Sequence, residues 1–265
     1  MCELFALSSE MPTTIRFSFE RFAQRGGHTA HHADGWGVAF FEDKDVRVLR
    51  EPVAAATSPL VRLIESDGPR AKLVISHIRH ATRGGRTLAN TQPFARELAG
   101  RMHVFAHNGD LGELTAHREL GGRRFQPVGD TDSEFAFCGL LERLLALWTG
   151  ANSPSIEARL GVLRQFANEL RAFGPANFLY SDGDALFAHA HRRTQSDGSV
   201  RPPGLWVLER QCLESLPSAK TNGISLVASP QSVVLFASVP LTDEPWQALE
   251  EGRILAAQAG RVLAT

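Results

Sequence analysis

Two consecutive amphipathic helices set between two runs of short strands constrain this chain more than any other feature. Thr131 and Glu134 stand at capping-box spacing, and Phe135, Cys138, Leu141, Leu144 and Leu145 follow at helical period. After Gly150-Ala151-Asn152-Ser153-Pro154, a second helix over about 156–173 puts Leu160, Leu163, Phe166 and Leu170 on one face. Ahead of this pair, strands are expected at 4–8, 36–41, 46–49, 72–78 and 102–106, with a short helix opened by Ser58-Pro59. Behind it, 178–180 and 186–188 flank an Asp182-Gly183 hairpin turn, and further strands are expected at 205–208, 224–228 and 233–237. Each apolar face needs a covering layer, so strands, helices and strands in that order predict an α+β fold of layered αββα type. The Pro/Gly/Ser/Arg stretch 192–204 reads as a surface loop and not a linker, so a single domain over 2–265 is expected.

Composition narrows the classes of function. Lys+Arg 28 against Asp+Glu 29 leaves no excess charge to hold a polyanion, so no nucleic-acid partner is expected. Cys2, Cys138 and Cys212 cannot all pair and form no C-x-x-C, which disfavours a disulfide scaffold or a zinc ribbon. The N-terminus MCELFALSSE lacks a cationic region leading into an apolar run, so it does not read as a signal peptide. The richest apolar run, around 135–148, is broken by Glu142 and Arg143, so no membrane span is expected and the cytoplasm is the expected compartment.

Chemistry-bearing residues cluster where strands and helices end. Removal of Met1 would make Cys2 the N-terminal residue, placing a thiol and an amine of similar pKa on one residue as nucleophile and base. The alternative is a small apolar side chain at a strand start. Asn108-Gly109 offers a side-chain amide and an unhindered backbone N–H for an oxyanion, or simply a tight turn. Arg79 is a fork suited to a carboxylate, or a clamp on backbone carbonyls. Asp132 could accept from an ammonium group, or answer the dipole of its helix.

Met1-Cys2, Asp34-Gly35-Trp36-Gly37, Ile78-Arg79-His80-Ala81-Thr82, His107-Asn108-Gly109 and Asp130-Thr131-Asp132-Ser133-Glu134, in this order, resemble the class II glutamine amidotransferases of the N-terminal nucleophile hydrolase superfamily. MCELFALSS, FSFERFAQRGG, NTQPF and GDTDSEFAFC are similar to stand-alone bacterial members that consist of the glutaminase domain alone. The resemblance implies a four-layer αββα sandwich, Cys2 as nucleophile, and Asn108 and Gly109 as oxyanion donors. It implies Arg79, with Thr82 beside it, as ligand of the glutamine carboxylate, and Asp132 as ligand of the ammonium group. Glutamine hydrolysis through a γ-glutamyl thioester follows, with no metal or organic cofactor and a separate synthase as a candidate acceptor of ammonia. Arg83 stands where several synthase members carry histidine.

Two other readings compete. One is hydrolysis of a different γ-glutamyl amide, as in related enzymes of ergothioneine or glutathione metabolism, with 25–33 and 85–92 forming the wall around the leaving amine. The other is a metal-binding or sensor module built on His28, His31, His32 and Asp34.

Overall fold

The computed structural model describes residues 2–17, 33–82, 84–149, 152–212, 224–226 and 230–263. Its elements are, in order, β1 (Glu3–Phe17), β2 (Trp36–Glu42), β3 (Asp45–Glu51), α1 (Pro59–Asp67), β4 (Arg70–Ile78), β5 (Phe94–Leu98) and β6 (Arg101–Asn108). The two long helices follow, α2 (Asp132–Leu144) and α3 (Ile156–Arg171). Then come β7 (Asn177–Ser181), β8 (Leu186–His189), β9 (Arg193–Thr194), β10 (Val200–Arg201) and β11 (Trp206–Cys212). The last are β12 (Ile224–Leu226), β13 (Gln231–Ala237), β14 (Gln247–Ala248), β15 (Ile254–Gln258) and β16 (Arg261–Val262).

Two sheets lie face to face. The first runs β14-β11-β13-β1-β4-β2-β3, with β12 also on β1, and the second runs β16-β15-β8-β7-β6-β5. Strand periodicity of two sorts the side chains into three cores. Leu4 and Ala6 of β1, Val104 and Ala106 of β6 and Val234 and Phe236 of β13 point between the sheets. Their neighbours Phe5, Leu7, Val233 and Leu235 face α1 and Trp246, while Phe105, Phe178 and Tyr180 face α2 and α3. This is the four-layer αββα sandwich, and strands buried on both faces explain the near-continuous apolar runs at β4 and β6.

Local signals explain most element boundaries. Ser58 caps α1 by accepting from Val61 N at 3.2 Å, with Pro59 in the first turn. Thr131 caps α2 by accepting from Glu134 N at 3.2 Å, a bond worth about 1 kcal/mol. The capping box is only half formed, however. The Glu134 carboxylate takes Gly129 N at 2.7 Å and the Arg96 guanidinium instead of its own cap, because a carboxylate this buried needs a cation.

Three further expectations are corrected. Between β7 and β8 the turn has four residues, 182–185, in which Asp182 accepts from Asp184 N and Ala185 N and pairs with Arg159 of α3 at 2.7 Å. The stretch 192–204 contains the β9–β10 hairpin, and Arg193 there is buried. β5, β14, β15 and β16 were not expected at all, and residues 227–228 of the strand expected at 224–228 lie outside the described residues.

Candidate active site

Pairing of β1 with β4 sets Glu3 opposite Ile78, which brings Cys2 level with the segment that follows β4. The Cys2 thiol accepts from His80 N at 3.2 Å and lies 3.4 Å from His80 O. Burial pushes this thiol above its ordinary pKa, with the His80 N–H and the Arg79 charge pulling the other way. A thiol in this position stays protonated until a base removes the proton.

Cys2, Arg79, Thr82, Gly109 and Asp132 line one cleft, although they come from four separate stretches of chain. Arg79 is 3% exposed, and its guanidinium donates to Gly85 O at 2.9 Å and Gly84 O at 3.1 Å. The carbonyl-clamp reading therefore holds, within reach of the cleft. The Asp34-Gly35-Trp36-Gly37 turn buttresses this segment: Arg79 N donates to Gly35 O at 2.8 Å, and Asp34 accepts from Ala81 N at 2.8 Å and pairs with Arg86. Asp34 thus spends its carboxylate on the loop, and its expected metal partners His28, His31 and His32 lie outside the described residues.

Asp132 opens α2 and lines the cleft with its carboxylate already accepting from Leu111 N at 2.7 Å and Ser133 N at 2.8 Å. Its backbone bonds hold it at the helix start, where the dipole also favours it. Gly109 follows β6, and a Cβ there would collide with the Pro175 carbonyl and crowd His107 Nε2. Asn108 does not line the cleft directly. Its buried side chain donates from Nδ2 to Ser238 Oγ at 3.2 Å, and its Oδ1 has no hydrogen-bond partner among the described residues.

Several site residues lie beyond those the motifs singled out. Asn90 and Gln92 of NTQPF line the cleft and tie its walls together. Asn90 donates to Gly85 O at 3.1 Å and accepts from Asp130 N at 3.0 Å, joining the Arg79 loop to the approach of α2. The Gln92 amide accepts from His107 N at 2.6 Å and donates to His107 O at 3.2 Å, as a neighbouring strand would. Third among them, Ser133 lies 2.9 Å from His107 Nδ1, and His107 Nε2 lies 3.2 Å from Pro175 O. A carbonyl only accepts, so Nε2 carries the proton and Nδ1 accepts from the Ser133 hydroxyl. Burial lowers the His107 pKa despite nearby Asp132, which keeps the ring neutral.

Two antiparallel sheets packed face to face, helices outside them and a cysteine leading the central strand define a fold of the N-terminal nucleophile hydrolase type. The profile of the family Glutamine amidotransferases class-II matches residues 1–265, and the chain belongs to that enzyme family. It is 38% identical over 254 residues to YafJ of Escherichia coli (strain K12), covering 95% of each chain. A solved structure of a Pseudomonas aeruginosa PA01 protein, described as a predicted glutamine amidotransferase, superposes with TM-score 0.69 at 31% identity over the whole of both chains. Glutamine phosphoribosylpyrophosphate amidotransferase from B. subtilis shares the fold at TM-score 0.58 and 15% identity, with this chain covering 48% of it. Among the described residues, no helix is long and apolar enough to cross a membrane.

Proposed function

We propose that, once Met1 is removed, this enzyme hydrolyses the side-chain amide of glutamine through a thioester on Cys2. The convergence of Cys2, Arg79, Gly109 and Asp132 on one cleft carries this reading. The freed α-amine takes the Sγ proton, and the thiolate adds to the carboxamide carbon. Negative charge develops on the amide oxygen, where the Gly109 N–H and the Asn108 side-chain amide donate to it. Collapse expels the nitrogen, which leaves as ammonia with the proton held by the amine. Water, deprotonated by the same amine, then attacks the γ-glutamyl thioester and releases glutamate and the thiol.

Arg79 and Asp132 hold the other end of the substrate. A guanidinium fork matches the α-carboxylate, and the Asp132 carboxylate matches the α-ammonium group. Both are already fixed by backbone partners, so little side-chain freedom is lost on binding. Thr82 is exposed at the rim beside Arg79 and completes that end.

The test is glutamate release from glutamine by protein whose intact mass shows that it begins at Cys2. Release is expected, and Cys2→Ala abolishes it. Release retained by Cys2→Ala overturns the reading, and release only from another γ-glutamyl amide reassigns the substrate while keeping the chemistry.

A further inference from the structure

The oxyanion role given to Asn108 requires its Nδ2 to be available, yet in the structure Nδ2 faces Ser238 Oγ at 3.2 Å while Oδ1 is buried with no hydrogen-bond partner among the described residues. Ser238 follows β13, and its Oγ also accepts from Leu4 N at 2.9 Å. A hydroxyl has two acceptor positions and one hydrogen. With both acceptor positions taken, the Ser238 hydrogen has no acceptor among the described residues. Half a turn of the Asn108 amide about its terminal bond exchanges oxygen and nitrogen without moving any other heavy atom. Ser238 then donates to Oδ1, and Nδ2 takes the buried position that has no hydrogen-bond partner among the described residues.

We propose that Ser238 is a positioning residue whose hydroxyl locks the Asn108 amide with Oδ1 toward itself, leaving Nδ2 as a waiting donor for the oxyanion. This rests on the roles given to Cys2 and Asn108 above. A buried donor with no ground-state partner is what preorganised stabilisation requires, since its hydrogen bond forms only as charge develops. The arrangement around Ser238 is rigid enough to act as a template. Ser238 N donates to Leu4 O at 3.0 Å, so the residue is strapped to β1 two positions after Cys2. Arg193 donates to Ser238 O at 2.8 Å and to the buried Glu3 carboxylate at 3.0 Å. Asn108 itself is held through its carbonyl by Asn177 Nδ2 at 3.0 Å. One hydroxyl thereby fixes the register between the strand that carries the thiol and the residue that donates to the oxyanion.

The experiment compares glutamine hydrolysis by wild-type, Ser238→Ala, Ser238→Thr, Asn108→Ala and Ser238→Ala/Asn108→Ala proteins, each beginning at Cys2. Ser238→Ala is expected to lower kcat by about 10- to 100-fold with KM unchanged, within the loss caused by removing one oxyanion donor. Ser238→Thr, which keeps the hydroxyl, restores kcat, and Ser238→Ala adds no further loss to Asn108→Ala. Unchanged kcat in Ser238→Ala, or equal losses that multiply in the double variant, overturns the proposal. A wild-type protein that turns over no γ-glutamyl amide overturns the underlying reading instead. The amide's orientation is then decided by a neutron structure, which needs no turnover. A deuteron on Ser238 Oγ pointing at Asn108 Oδ1 is expected, and an Nδ2 deuteron pointing at Ser238 overturns it.

Discussion

Gly109 tolerates no side chain, because the Pro175 carbonyl occupies the place of a Cβ and His107 Nε2 stands close behind it. Gly109→Ala must therefore push the backbone away from the cleft. Glutamate release is expected to fall by at least about 100-fold as the N–H leaves its aim. Thermal unfolding is expected to show a loss of about 1–3 kcal/mol from overpacking, and an alanine variant with unchanged kcat refutes the assignment of this N–H. As residues that come together at one cleft, Cys2, Arg79, Thr82, Gly109 and Asp132 were legible, because reactive residue types at strand and helix ends are unusual enough to stand out in order. Asn90, Gln92, Ser133, Ser238 and Arg193 were not. Their side chains are ordinary, and what matters about them is a partner elsewhere in the chain, as with Asn90 between Gly85 and Asp130.

The β9–β10 hairpin shows the same effect for elements. Its Pro, Gly, Ser and Arg content predicts a surface loop, and β10 is exposed, but Arg193 reaches inward to pair with Glu3 at 3.0 Å. Arg193→Leu leaves the buried Glu3 carboxylate without this guanidinium, which is expected to cost roughly 3–5 kcal/mol in urea unfolding. Adding Glu3→Leu is expected to recover most of that loss, and a single variant as stable as wild type would show that the pair contributes nothing. α1, α2, α3 and the strands β1 to β4, β6 to β8 and β11 to β13 were legible from periodicity and caps. β5, β14, β15 and β16 were not, for reasons of composition and length. β5 reads Phe-Ala-Arg-Glu-Leu and mixes charge into its short length, β14 and β16 have two residues each, and β15 has only Ile254 and Leu255 as large apolar residues, too few to show a period. Each is placed by the strand beside it.

At the scale of the whole molecule, buried histidines couple folding to pH. Burial lowers His103 to about 4 and His189 to about 3, from an ordinary value of 6.5. Between these values the unfolded chain binds protons that the folded one does not, so stability is complete above pH 6.5 and declines as pH falls. Each histidine contributes about 1.4 kcal/mol per pH unit while it titrates. The urea midpoint is therefore expected to drop between pH 7 and 4.5, and His103→Gln, which can still meet the Tyr180 hydroxyl now 2.7 Å from Nδ1, is expected to flatten that slope. An identical slope in the variant refutes the contribution of His103.

The central place of β1, between β4 and β13, also sets a schedule for synthesis. Leu4 and its partner Ser238 are 234 positions apart, so at about 5–20 residues per second the ribosome needs on the order of tens of seconds to supply that neighbour. Throughout that interval the first strand emerges without its final companion. β1 therefore becomes an interior strand only after most of the chain has been made, so the half of the first sheet built from early residues waits on the late ones.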